Sequence, residues 1–331
     1  MSKMFFCTLF DSHYMIRGLA MYESLVKTCP EFHLYIFAFD DLSFDILKQK
    51  ALPNVTVIKL SEFEDKQLLA VKPTRSYVEY MWTCTPSVIL FCIKTYQLDH
   101  CIYLDADLYF YADPGQLIDE MPDSSSVMIT PHRYTPKYDQ TETSGKYCVQ
   151  FMYFKNDING LNVLSWWREA CLAWCYAYFE EGKFGDQKYL DSWVIRFEGV
   201  HELEHLGGGM GPWNIQQYCM LEGSDGVLGE EILTKAEFQP VFYHFHAIKY
   251  LPGNRVDLGM YTLSESVQQL LYKPYLLMLK KIAEELKMNV DFDPYATSPS
   301  ISFSLRKLGR NLKRILKRNY NVYNIDKFVR K

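Results

Sequence analysis

Tyr103-Leu104-Asp105-Ala106-Asp107 sets two carboxylates at positions i and i+2 directly after the apolar run Cys101–Leu104. At the end of a strand such residues project to the same side, so both carboxylates can face one point. Carboxylates held together repel unless a cation neutralises them, and hard oxygen ligands suit Mg²⁺ or Mn²⁺. An ion there would hold a diphosphate and take up the negative charge that develops as it leaves. A second group, Phe242-Tyr243-His244-Phe245-His246-Ala247-Ile248-Lys249, places His244 and His246 on one face of a short strand. Imidazole is a competent third ligand for Mn²⁺, and Lys249 offers a point charge to a phosphate. Asp186-Gln187 follows Gly185 at an expected helix start, where a simple N-cap is the plain alternative to a functional role for Asp. Gly207-Gly208-Gly209-Met210-Gly211 leads into Pro212-Trp213-Asn214, and glycines allow backbone to approach a ligand closely.

His201-Glu202-Leu203-Glu204-His205 fits the zinc-hydrolase pattern H-E-x-x-H. That chemistry needs a continuous helix to put both imidazoles on one face. Gly199 and Gly207 flank the segment and leave room for only about one and a half turns. No G-x-G-x-x-G follows the first strand, and neither G-x-x-x-x-G-K-[ST] nor G-x-S-x-G occurs. Dinucleotide oxidoreductases, P-loop NTPases and α/β-hydrolases are therefore disfavoured.

The elements that must position these groups alternate. Met4–Phe10 reads as a buried strand, Arg17–Lys27 as a helix, Phe32–Phe39 as a strand, Phe44–Lys50 as a helix and Val55–Leu60 as a strand. A helical stretch covers Ser76–Tyr96, with Pro86 breaking or starting it. Cys101–Leu104 is the fourth strand. β-α-β-α-β alternation implies a mostly parallel sheet flanked by helices, with ligands at the strand carboxyl ends. Further on, Val127–Thr130, Tyr147–Phe154 and Val241–Ile248 read as strands, and Leu161–Glu180, Gly185–Phe197 and Ser264–Lys287 as helices.

Together these residues resemble the GT-A nucleotide-diphospho-sugar transferases, and within them glycosyltransferase family 8, the glycogenin and bacterial lipooligosaccharide galactosyltransferase type. The resemblance runs from Phe5 to about Lys249. It rests on Thr8, Asp11, Tyr14 and Gly18 to Leu25, on Tyr103–Asp107, on Asp186-Gln187, and on His244 with Lys249. It implies an α/β fold with a Rossmann-like mixed sheet, and a UDP-sugar as donor with Thr8, Asp11 and Tyr14 at the uracil. It implies Mn²⁺ (or Mg²⁺) on Asp105, Asp107 and His244, with Lys249 on the diphosphate. Asp186 and Gln187 would line the sugar and acceptor site, and transfer would retain anomeric configuration. Trp213 and Asn214, which follow the glycines, are read from that loop alone as further acceptor contacts. Where the family carries a basic residue before its DxD strand this chain has Thr83–Ser87, with Arg75 the more distant substitute. Cys148-Val149-Gln150 stands in place of the family's Asn-Ala/Val-Gly. The closing His-Phe-x-Gly-x-x-Lys is shortened, which leaves His244 or His246 as the ligand.

At 331 residues and 38.9 kDa the chain can bury a large core without disulfides or metal. Its hydrophobic share of 48% against 23% charged residues excludes disorder and low-complexity readings. Nine cysteines without CxxC fit reduced cytosol better than secretion. No run of 18 apolar residues and no signal peptide is read. The net charge of −5 conceals a basic end, for residues 300–331 carry ten Lys/Arg against one acid, and the rest 25 basic against 39 acidic. Between Ser304 and Arg318, leucines and isoleucines recur at helical spacing among seven cations. The expected organisation is a GT-A domain over 1–290, its nucleotide-binding half at 1–107 and its acceptor half at 108–290. A linker and a basic amphipathic helical tail follow at 291–331. The tail suits an anionic membrane surface rather than nucleic acid. The expected protein is a cytoplasmic, membrane-peripheral glycosyltransferase of surface polysaccharide assembly. The alternatives are a zinc hydrolase using His201 to His205 and an inert sugar-nucleotide-binding module.

Overall fold

Four apolar runs of the first third become parallel neighbours: β1 (Met4–Phe10), β2 (Phe32–Ala38), β3 (Val55–Lys59) and β4 (His100–Leu104), ordered β3-β2-β1-β4. Past β4 the sheet continues with β7 (Tyr147–Lys155), β6 (Val127–Pro131) and β8 (Val200–Glu202). Of these seven strands β7 alone runs against the rest, so the sheet is mixed and mostly parallel. The computed structural model describes residues 3–224, 226–289, 314 and 319–330.

Side-chain alternation along the strands feeds two cores. Phe6 and Phe10 of β1 and Ile102 and Leu104 of β4 pack with the helices Met15–Thr28 and Lys273–Asn289. Cys7, Leu9, Cys101 and Tyr103 point the other way, into the helices Tyr77–Tyr96 and Ile158–Ala173. Cys7, Cys92 and Cys101 lie in mutual reach there, fully buried. All nine cysteines are free thiols, eight of them buried.

The helix Tyr77–Tyr96 begins at a Ser76/Glu79 capping box and runs through Pro86 without interruption. The expectation of a break fails because residues 83–89 are all buried, and tertiary packing outweighs one lost backbone bond. The helix expected to reach Glu180 stops at Ala173. Beyond it the chain folds back in a tight turn, with Glu181 and Gly182 at positive φ (48° and 76°) and a Glu180–Lys183 bridge. In place of a helix over Gly185–Phe197 there are a 3₁₀ segment, Lys188–Ser192, and one turn at Trp193–Arg196. The closing helix expected over Ser264–Lys287 starts as a short α turn and a π segment, then becomes regular from Lys273 to Asn289.

Two small sheets matter to the site. β5 (Leu108–Phe110) pairs antiparallel with β12 (Phe242–His244), and β9 (Tyr218–Gly223), β10 (Gly226–Glu231) and β11 (Glu237–Phe238) form a meander between them in sequence. A third joins β13 (Lys249–Leu251), β14 (Arg255–Asp257) and β15 (Val322–Asn324). The C-terminal residues thus return to the body, where Arg314 also grips both Asp257 oxygens at 2.7 Å. Apart from Arg314, the amphipathic stretch 304–318 lies outside the described residues.

Gly160 lets the helix Ile158–Ala173 turn back directly over the end of β7, since a Cβ there would stand 2.2 Å from the Lys155 carbonyl oxygen. Gly160→Ala should therefore lose about 1–3 kcal/mol in urea unfolding, despite the better helix propensity of alanine. An unchanged midpoint would contradict that close approach.

Candidate active site

Strand ends supply the first two walls. After β1, Asp11 caps the turn Ser12–Tyr14 by accepting the Tyr14 amide at 3.2 Å. The Arg17 guanidinium lies 4.4 Å from the centroid of the Tyr14 ring, and Arg17 also donates to the Ile248 carbonyl at 2.8 Å. After β4, the Asp105 amide still bonds across to the Gln150 carbonyl on β7 at 3.0 Å, and the chain then turns tightly into β5.

Pairing of β5 with β12 sets His244 opposite Leu108, and the Phe245 amide donates to the Asp107 carbonyl at 3.0 Å. This register brings His244 Nε2 to 3.0 Å from Asp107 Oδ1 and 3.8 Å from Asp105 Oδ2. On its far side, His244 Nδ1 lies 2.9 Å from Gln150 Oε1. Cys148, two residues earlier on β7, has its Sγ within 4.8 Å of ligand atoms of both Asp105 and His244.

Burial dominates the electrostatics. It pushes the Asp105 carboxyl up to about 7, with His244 opposing and Asp107 adding to the rise. Asp107 is driven down to about 2, because the His244 cation beside it outweighs the burial. For His244 the balance is reversed: burial favours the neutral ring, but Asp107 raises its pKa. One imidazolium therefore balances one carboxylate, and the second is left with its protonated form favoured beyond the usual carboxylate range. A divalent cation facing these oxygen and nitrogen donors would let both ionise, so the residues fit Mn²⁺ or Mg²⁺. Asp105 remains about a quarter exposed to receive it.

These groups lie in a cleft of about 550 Å³. Asp11, Tyr14, Asp105, Asp107, Asp186, Gln187, Trp213 and His244 all line it, although they come from both halves of the chain. Asp186 is buried, and burial carries its carboxyl up to about 7, with Thr85 pulling the other way. Its carbonyl accepts the Trp167 indole N–H at 2.8 Å, while Gln187 donates to the Ser144 carbonyl at 2.7 Å. Trp213 stands edge-on to His244, with ring centroids 5.3 Å apart, and donates to the His132 carbonyl.

Other expected contacts are not walls of the cleft. Thr8 is fully buried in β1, and its hydroxyl has no partner among the described residues. Asn214 turns inward, its amide bonding His132, Gly209 and Gly211 backbone. The strand expected over Val241–Ile248 ends at His244, and Ala247 takes a left-handed φ of 68°. Lys249 consequently opens β13, exposed, outside the cleft lining. His246 does line the cleft, but its ring is 5.9 Å from that of His244 and exposed. Arg75 is occupied elsewhere, stacked 4.1 Å from the Tyr176 ring centroid and bonded to the Leu172 carbonyl.

The glycine-rich run serves the protein's own packing rather than a ligand. A Cβ at Gly207 would meet the Gln239 carbonyl at 2.0 Å, and one at Gly209 would meet Thr130 at 2.7 Å. The zinc-hydrolase alternative fails outright, because His201 and Glu202 lie on strand β8 rather than a helix. His201 bonds Glu120 at 2.8 Å, and His205 Nδ1 accepts the Gly207 amide.

Sequence reasoning missed Arg17 and the aromatic wall of Tyr77 and Trp82, and it placed Cys148-Val149-Gln150 only as a departure from the family's pattern, not beside Asp105 and His244. The wall had a signal, since Tyr77, Met81 and Trp82 share one side of the helix that ends before the DxD strand. The two β7 residues had one in the i, i+2 spacing of Cys148 and Gln150 on a strand beside β4.

The chain has the GT-A glycosyltransferase fold. An active-site mutant of LgtC matches it with a TM-score of 0.51 at 10% identity, over 87% of this chain and all of that one. Mouse xyloside xylosyltransferase 1 matches with a TM-score of 0.46 at 13% identity, over 74% of this chain and 98% of that one. Two proteins of Bacillus subtilis (strain 168) named only as uncharacterized are similar in sequence. YfnD is 28% identical over 296 residues, 87% of this chain and 92% of its own length, and YfnF 28% over 258 residues, 76% and 84%. No family model matches the chain.

The buried Asp186 carboxyl makes a stability prediction. Its native pKa lies above the ordinary 3.8, so its contribution is full below about pH 4 and is lost as pH rises towards 7. In metal-free protein, Asp186→Asn should raise the melting temperature by a few °C at pH 8, the shift that about 1–2 kcal/mol gives in a large domain. The gain should shrink as pH falls towards 4. A difference independent of pH would contradict the assignment.

Proposed function

We propose that this chain is a metal-dependent glycosyltransferase that moves a sugar from a UDP-sugar to a hydroxyl of a glycan or lipid-linked acceptor, with retention, in surface polysaccharide assembly. The observation that carries the reading is the meeting of Asp105, Asp107 and His244 inside the cleft of a GT-A fold.

Asp105, Asp107 and His244 would hold Mn²⁺ or Mg²⁺, which supplies positive charge to the diphosphate as it departs. Tyr14, at the cleft mouth with Arg17 against its ring, offers an aromatic face to the uracil, and Asp11 fixes the turn that carries it. Asp186 and Gln187 form the sugar wall, where Asp186 orients the acceptor or opposes positive charge on the sugar ring. With retention, the acceptor attacks from the face the diphosphate leaves, and the leaving phosphate takes the acceptor's proton. No side-chain base is required. Trp213 closes the cleft beside His244 with an apolar, flat surface suited to a sugar ring.

Divalent-cation-dependent release of UDP from a panel of UDP-sugars is the direct assay. Asp105→Asn with Asp107→Asn should reduce it at least about 100-fold, the scale on which removed charge stabilisation acts. Unchanged release by the double variant would remove the metal from the reading.

The basic tail supports a membrane-borne acceptor. No described helix is long and apolar enough to cross a membrane. Arg314 is engaged by Asp257, and the same stretch of sequence carries Arg306, Lys307, Arg310, Lys313, Lys317 and Arg318. At about 1 kcal/mol per cation near an anionic lipid surface, replacing these six by Gln should abolish co-sedimentation with phosphatidylglycerol vesicles, with Arg314 retained. Undiminished binding would contradict the tail's role.

A further inference from the structure

We propose that Gln150 is a positioning residue of the metal centre, presenting Asp105 through its backbone and His244 through its side chain to one cation. The inference rests on the metal reading above and adds to it what sets the ligands.

Gln150 is fully buried at the middle of β7. Its carbonyl accepts the Asp105 amide at 3.0 Å, which holds the first carboxylate at the tip of β4. Its Oε1 lies 2.9 Å from His244 Nδ1. An amide oxygen only accepts, so Nδ1 must carry a hydrogen. When a cation displaces the second hydrogen of the imidazolium, the lone pair opens on Nε2, the atom that faces Asp107 at 3.0 Å and Asp105 at 3.8 Å. A neutral imidazole otherwise chooses between two tautomers, only one of which ligates on that side. One residue thereby ties together ligands supplied from distant parts of the chain.

The other half of the same amide is left without a partner. Gln150 Nε2 is buried and makes no hydrogen bond among the described residues. It sits near Gly209, where an added Cβ would lie 3.7 Å from it. A buried amide N–H without an acceptor is destabilising, so an apolar chain of the same length would suit the packing better. The oxygen is the half that has work to do, and its single side-chain partner is the imidazole.

The test uses the full chain and Mn²⁺ alone. Gln150→Met removes the acceptor at nearly constant shape and should weaken Mn²⁺ binding, by calorimetry or by the paramagnetic resonance of free ion, about 10–100-fold. Its melting temperature in chelator should be unchanged or higher. Gln150→Glu restores an acceptor for Nδ1–H and should hold Mn²⁺ within a few-fold of the parent chain. Nitrogen-detected NMR of the His244 ring in the Mg²⁺-saturated parent should show the hydrogen on Nδ1, a readout that needs no variant to fold. Equal Mn²⁺ affinity in a folded Met variant, or a hydrogen on Nε2, would overturn the Gln150 role while leaving the metal site intact. A parent chain that binds no Mn²⁺ would overturn the metal reading and this inference with it.

Discussion

Two carboxylates that must sit side by side at the buried tip of one strand are the constraint around which the rest of this molecule is arranged. Left alone they would repel each other and resist burial together. His244 answers half of the problem by pairing with Asp107, and burial answers the other half by raising the Asp105 carboxyl towards its protonated form. A cation binding there would displace the protons that these groups hold.

The fold supplies this arrangement through pairing rather than through any single motif. β4 delivers the carboxylates, β5 leaves the turn that separates them, and β12 docks on β5 so that its last residue is the imidazole. β7 runs antiparallel alongside and contributes Gln150 and Cys148 from one face. Arg17 links the Tyr14 side of the cleft to the segment after His244 by bonding the Ile248 carbonyl while lying against the Tyr14 ring. The meander β9–β11 is inserted just before β12, so its variation need not disturb the pairing that places His244.

Much of this was legible from residue order. Continuous apolar runs marked β1 to β4 almost to the residue, because β1, β2 and β4 are buried on both faces and leave little ambiguity, while β3 is half-buried at the sheet edge. The DxD followed directly, as two acids at i and i+2 cannot be hidden in a strand end. What stayed illegible was short or long-range. Three-residue β5 carries no periodicity, yet it decides where His244 goes. The reading of Val241–Ile248 as one strand missed the turn at Ala247, which carries Lys249 out of the cleft. Pro86 and the end of the helix at Ala173 were decided by burial and by a tight turn, which local propensity does not reveal. Gly207 to Gly211 looked like a ligand loop and proved to be chain packed on chain.

The same reasoning explains why the H-E-x-x-H pattern misled in form only. Its spacing has meaning on a helix, and Val200–Glu202 is a strand hydrogen-bonded beside β6. For Asp105, Asp107 and His244 the converse holds, since their meaning arises only in three dimensions. The most direct measurement is a crystal of the full chain grown with manganese and UDP, its metal located by anomalous scattering. The account requires the manganese peak to lie between the Asp105 and Asp107 carboxylates and His244 Nε2, against the diphosphate. A peak elsewhere, or none while UDP is bound, would contradict it.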